Sequence, residues 1–218
     1  MLSTACLLSG LLALGCAQGR RYDQAVAALV DVSGTYADEK PEVVRILKRE
    51  VLPGLLPGDT FLVLRIDSES YRKDNLETLV TLDYRPSRAN AQKLAVARHL
   101  DRFAASDARS EYTDIPGAMM LAAEYLEEIH SGSRVMLVFS DLREELPRGS
   151  RRTLRAKEFD GIRMAAVNLK RLHSDAANPD LFRTRVDHFA KTALEFGAED
   201  FRTVMDPEKL PEYLAKLR

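Results

Sequence analysis

Oxygen donors alternate along Asp31-Val32-Ser33-Gly34-Thr35, one carboxylate followed by two hydroxyls. Hard oxygen ligands on one turn suit Mg²⁺, which prefers oxygen and keeps part of its water. Two later positions carry donors of the same kind. Thr113 opens TDIPGAMMLAAEYLEEI, and Asp141 closes RVMLVFSD. Each piece alone has a plainer role. The Asp31 to Thr35 run suits a strand-to-helix turn. Thr113 suits a helix N-cap, and Asp141 suits the polar end of a strand.

The elements that must position these residues are legible as patterns. Residues 25–32 form a short continuous apolar run, expected of a strand buried on both faces in the middle of a parallel sheet. Residues 60–66 (TFLVLRI), 134–139 and 162–169 repeat that pattern, and 201–205 gives a short last strand. Helical spacing marks 38–52, with Val43, Val44, Leu47 and Val51 on one stripe and Pro41 in the first turn. It also marks 89–103, 115–129, 179–196 and 207–217. Residues 76–82 alternate more loosely and read as an antiparallel edge strand. The segments 67–75, 104–112 and 142–160 are polar and loop-like. Strands alternating with helices predict an α/β fold: a doubly wound, mostly parallel central sheet with one antiparallel edge strand and helices on both faces, Rossmann-like. Ligands of such sheets bind beyond the carboxyl ends of the strands. Asp31, Thr113 and Asp141 are therefore expected at one edge.

In this order and at these strand ends, Asp31-x-Ser33-x-Thr35, Thr113 and Asp141 resemble the five-part metal-ion-dependent adhesion site (MIDAS) of von Willebrand factor A-type domains. The resemblance runs from about residue 22 to the last residue, and departs from the pattern at Thr35, where Ser is commoner. It implies Mg²⁺, or Mn²⁺ in its place, touched directly by the Ser33 and Thr35 hydroxyls. Thr113 would be the switchable ligand, with Asp31 and Asp141 acting largely through ordered water. It further implies a protein partner whose acidic side chain completes the coordination, which is binding rather than catalysis. A second resemblance is to haloacid dehalogenase-type phosphatases. Asp31-x-x-Gly34-Thr35 is similar to their nucleophile motif, and VMLVFS ending in Ser140 to their second motif. Asp31 would then be phosphorylated. Against this, Ser33 stands where most of those enzymes carry a second Asp, and no later apolar strand ends in an acidic pair.

The chain has 218 residues, with 32 Lys and Arg against 33 Asp and Glu and a formal net charge of −1. That length favours one domain, and a folded chain of this size buries about 70 % of its unfolded surface. The balanced charge gives no sign of a nucleic acid partner. Residues 1–19 carry no charged side chain, and their apolar stretch at 7–14 is too short to span a bilayer. Leu12-Ala13-Leu14-Gly15-Cys16 resembles a bacterial lipobox, with Cys16 the lipidated residue. The expected organisation is a signal peptide over 1–19 and a von Willebrand factor A-like domain over 20–218. The protein would be a membrane-anchored lipoprotein facing the periplasm or the cell surface; an ordinary cleaved signal peptide, an uncleaved short anchor and a cytosolic protein are the alternatives, and the leader lacks the Lys or Arg usual before its apolar stretch. Cys6 and Cys16 are both in the leader, so no disulfide is expected in the domain.

Arg148, Arg151, Arg152, Arg155 and Lys157 follow the Asp141 segment. This basic run reads either as a solvated face or as a rim that steers an acidic partner to the metal. Tyr71, in the 67–75 loop, is expected on the same face. His99, His130, His173 and His188 show no metal-ligand spacing.

Overall fold

The computed structural model describes residues 22–34 and 36–218. The leader with Cys16, and Thr35, lie outside the described residues. Among the described residues the strands are β1 (Gln24–Asp31), β2 (Thr60–Ile66), β3 (Leu76–Thr81), β4 (Ser133–Phe139), β5 (Ile162–Val167) and β6 (Asp200–Val204). They form one sheet in the order β3-β2-β1-β4-β5-β6. β3 runs antiparallel to β2 at one edge, and every other neighbouring pair is parallel.

The apolar run that ends in Asp31 sits where its pattern requires. All residues of β1 are buried, because strands flank it and helices cover both faces. Val26, Ala28 and Val30 share a core with α1 (Lys40–Ile46), α2 (Pro86–Ala105) and α6 (Leu210–Lys216). Ala25, Ala27 and Leu29 point the other way, into a core with α3 (Ile115–Ile129) and α5 (Pro179–Glu195). The two-residue period of the strand thus feeds two separate cores. Both cores fix the position of the strand's last residue.

Several boundaries differ from the sequence expectation. The helix expected over 38–52 is regular only to Ile46. It continues as a π turn at Leu47–Val51 and a 3₁₀ turn at Leu52–Gly54. Pro53 is the cause: it has no N–H to give, and its ring crowds the carbonyl of Arg49. α2 begins at Pro86 rather than at 89, with the proline in its first turn. A short α4 (His173–Ala177) has no apolar periodicity to announce it; its buried residue is Asp175, whose Oδ2 accepts from the Leu172 N–H at 2.7 Å.

Phe139 closes β4 immediately before Ser140 and Asp141, and is fully buried. Phe139→Ala should lower unfolding free energy by about 3–5 kcal/mol, the usual loss for a buried phenylalanine, measured by urea denaturation.

Candidate metal-binding site

Asp31 is the last residue of β1, and Asp141 lies just past β4, the strand paired beside it. The chain departs from β1 toward β2 on one side and returns in β4 on the other, so this edge is the switch point of the sheet. Asp31 is 0 % exposed, Asp141 2 %, Ser33 4 % and Thr113 6 %. Four of the five expected site residues are therefore buried in the same region of the sheet's carboxyl edge. Thr35 is the fifth and lies outside the described residues.

Local hydrogen bonds set the two carboxylates. Asp31 Oδ1 accepts from the Ser33 N–H at 2.8 Å, and Asp31 Oδ2 accepts from the Ser140 hydroxyl at 2.6 Å. Asp141 Oδ1 accepts from the Arg143 N–H at 2.8 Å. Both aspartates thus bind the amide two residues onward, the turn chemistry that their sequence suggested. Ser140 Oγ also accepts from the Leu142 N–H at 3.0 Å, and Leu142 takes a left-handed φ of 61°. Such a φ is uncommon for a branched side chain. Burial pushes the Asp31 carboxyl above its ordinary value, against hydrogen bonds from Ser140 and Ser33 that pull it down, and the Asp141 charge pushes it further up.

That mutual repulsion is the feature a cation answers. Two buried carboxylates, with the buried hydroxyls of Ser33 and Thr113 at the same edge, offer oxygen donors only, the kind a divalent ion such as Mg²⁺ takes. Among the described residues no group of three or more His, Cys, Asp or Glu is placed to hold a metal. Residues of the phosphatase-like pattern, Asp31 and Ser140, also meet here. Both oxygens of Asp31 accept hydrogen bonds, from Ser33 and from Ser140.

Each loop of the site is pinned to another. Ser110 N–H donates to the Val32 carbonyl at 2.9 Å, and Gly34 N–H to the Ser110 carbonyl at 3.1 Å. Thr113 exchanges both backbone hydrogen bonds with Glu145, at 2.7 and 3.0 Å. The fully buried Tyr36 donates its hydroxyl to the Asn168 carbonyl at 2.8 Å, tying the turn after β1 to the end of β5.

The structure bears on two of the alternative readings. The cap of α3 is Asp114, not Thr113: Asp114 Oδ1 accepts from the Gly117 N–H at 2.9 Å. A Cβ at Gly117 would lie 2.2 Å from Asp114 Oδ2, so only glycine fits there. Arg152 is not a steering cation on the rim. Its Nε and Nη2 bind Asp114 Oδ2 at 2.9 and 2.6 Å, because a carboxylate buried at a helix start needs a counter-charge. Tyr71 is also engaged, donating its hydroxyl to Glu124 on α3.

Sequence reading alone missed Arg185. Its Nε donates to the Asp141 carbonyl at 2.7 Å, and its Nη atoms grip the buried Asp175 at 2.8 and 3.2 Å. No local motif signals this, since 44 positions separate Arg185 from Asp141. Ser140 carried a signal, being next to Asp141, but its partner could not be read.

No protein-family model and no curated protein matches the chain. Solved structures do. The conserved hypothetical protein BatB from Bacteroides thetaiotaomicron matches with a TM-score of 0.56 and 12 % identity, over 89 % of this chain and 98 % of that one. An aerotolerance-related membrane protein from Bacteroides fragilis matches at 0.53 and 13 % identity, with the same coverage. The pilus adhesin SpaC from Lactobacillus rhamnosus GG matches at 0.52 and 13 % identity, over 91 % of this chain and 30 % of the adhesin. Identities this low establish fold. The fold is von Willebrand factor A-like: a six-stranded, mostly parallel sheet with one antiparallel edge strand and helices on both faces.

Asp31→Asn keeps an acceptor for the Ser33 N–H but turns an amide NH₂ toward the Ser140 hydroxyl, which donates to Asp31 Oδ2 in the wild type. On the reading of this edge as a Mg²⁺ site, the lost charge should abolish any melting-temperature rise that Mg²⁺ gives the wild type in a thermal-shift assay. Arg185→Met would leave Asp175 buried and unpaired, at a loss of about 3–5 kcal/mol near neutral pH. Arg185 holds the Asp175 carboxyl below its ordinary 3.8. A depressed carboxyl adds stability above its unfolded value and loses it as pH falls through the folded value. The deficit of Arg185→Met should therefore narrow on acidification through 3.8 and below, as urea midpoints at successive pH values would show.

Proposed function

We propose that this protein is a Mg²⁺-dependent protein–protein interaction module of the bacterial cell envelope, with no catalytic step of its own. The observation that carries this is the convergence of Asp31, Ser33, Thr113 and Asp141, buried together at the switch-point edge of the sheet. Ser33, Thr35 and Thr113 supply neutral hydroxyls. Asp31 and Asp141 supply charge and hold water. With few direct anionic ligands, a bound Mg²⁺ or Mn²⁺ keeps an appetite for one more carboxylate, and a partner's acidic side chain supplies it. Arg185 and Ser140 hold the Asp141 turn, so the site is formed before the partner arrives.

The envelope assignment rests on the leader and on the fold relatives. The leader is proposed as a signal peptide over 1–19 whose lipobox ends at Cys16, with the domain over 20–218 behind it. Among the described residues no helix is long and apolar enough to cross a membrane. Attachment through a lipid on Cys16 is proposed from the lipobox-like run alone. Two of the fold relatives are named as a membrane protein and a pilus adhesin.

Residues 18–218 should capture a protein from membrane extract in Mg²⁺, and lose it in chelator or as Asp31→Asn. Capture that ignores both chelator and substitution would overturn the metal-dependent mechanism. Hydrolysis of a generic phosphate ester by the wild type, absent in Asp31→Asn, would favour the phosphatase instead.

A further inference from the structure

A groove of about 670 Å³ opens at the edge of the sheet opposite Asp31 and Asp141. Its walls come from the amino ends of the parallel strands and the far end of antiparallel β3. Tyr22 precedes β1, Leu56 and Gly58 precede β2, Ile129 closes α3 ahead of β4, and Tyr84 follows β3. Gly58 takes a φ of 93°, and a Cβ there would lie 2.8 Å from the Tyr84 ring, so the ring rests against bare backbone.

Tyr22, Leu56 and Tyr84 are 70, 52 and 79 % exposed. Large apolar side chains left in water together mark an interaction surface. The charged groups around them are answered within the fold. Arg218 binds the buried Asp59 through both Nη atoms, and Asp23 accepts from the Gly132 N–H at 3.3 Å. Arg85, next to Tyr84, is paired with Asp83 at 2.6 Å. What the surface offers is two aromatic rings with hydroxyl tips and a leucine. That chemistry settles where lipid headgroups meet acyl chains. Chain reach points to the same place. Tyr22 stands six residues beyond Cys16, and residues 7–14 are the apolar stretch of the leader. Six residues extend at most about 22 Å, so with the leader at a bilayer the wall formed by Tyr22 stays within that distance of it. β1 then carries the chain away, and its rise of about 3.3 Å per residue puts Asp31 about 23 Å from Gln24.

We propose that the surface formed by Tyr22, Leu56 and Tyr84 docks on the lipid–water interface of the membrane, turning the carboxyl edge with Asp31 and Asp141 away from it. The proposal rests on the envelope attachment given above and adds an orientation to it. The leader alone would leave the domain free to tumble on its tether. Burial of the three side chains selects one pose, with the candidate site facing outward. Because the neighbouring charges are paired within the fold, docking draws on apolar burial and needs no anionic lipid.

The chain has no tryptophan, so Tyr84→Trp supplies its sole indole at the groove, and Tyr71→Trp its sole indole at the opposite edge. Each is made in the full chain with Cys6→Ser, which leaves Cys16 as the one thiol. That thiol is coupled to a maleimide lipid in phosphatidylcholine vesicles, so attachment does not depend on native lipidation. Brominated acyl chains should quench the Tyr84→Trp indole at least about twofold more than the Tyr71→Trp indole. Adding Tyr22→Ser and Leu56→Ser, both at exposed positions, should remove that difference. Quenching at residue 71 equal to or above that at residue 84 overturns the proposal. So does a blue-shifted indole at residue 84 that brominated lipid leaves unquenched, since protein, either the leader or a second copy, would then cover the groove. Mass spectrometry of the wild-type chain from the cells that make it reads Cys16 separately. Quenching at residue 84 together with an unmodified Cys16 would uphold the docking surface and remove the lipid anchor, so the two failures are distinct.

Discussion

Two aspartates are buried side by side at the carboxyl edge between β1 and β4, and the surrounding structure is arranged to tolerate them. Neither Asp31 nor Asp141 has appreciable solvent exposure, and burial, with the Asp141 charge adding to it, holds the Asp31 carboxyl above its ordinary value. Hydrogen bonds from Ser33, Ser140 and Arg143 offset part of the desolvation. A divalent cation held at this edge, as proposed above, would connect the packing of the sheet to a metal-dependent function.

The charge is fixed because the loops that hold it are not independent. Thr113 is paired with Glu145, Val32 and Gly34 with Ser110, and Tyr36 with Asn168. Two buried ion pairs, Arg152 with Asp114 and Arg185 with Asp175, add struts from distant parts of the chain. Buried pairs of this kind contribute little net stability compared with apolar packing, but breaking one leaves a stranded charge. Their effect is to give the top of the sheet one geometry. The same struts shape the flank, where Arg185 serves both the Asp141 turn and the wall of a cleft between α3 and α5.

Fold and chemistry are separate levels here. The likeness to BatB and to the Bacteroides fragilis membrane protein is one of architecture, at 12 and 13 % identity. The oxygen donors, by contrast, are this chain's own, on three segments: Asp31 with Ser33, Thr113, and Asp141. The interaction reading rests on those residues, and architecture alone would not support it.

The sequence by itself determined the order of strands and helices, the antiparallel edge and the positions of Asp31, Ser33, Thr113 and Asp141 at the ends of their elements. Those features are written in local periodicity and in turn chemistry, which act over a few residues. It placed the start of α3 at residue 115, but Thr113 and Asp114 are both good caps and only the folded chain chose Asp114. Tertiary structure alone decided the rest. It spent Arg152 on Asp114 rather than on the rim, brought Arg185 to the Asp141 carbonyl and hollowed a cleft beside Leu142. These depend on which charges end up buried and which faces meet across the sheet, and contacts between residues dozens of positions apart leave no periodic trace in the chain.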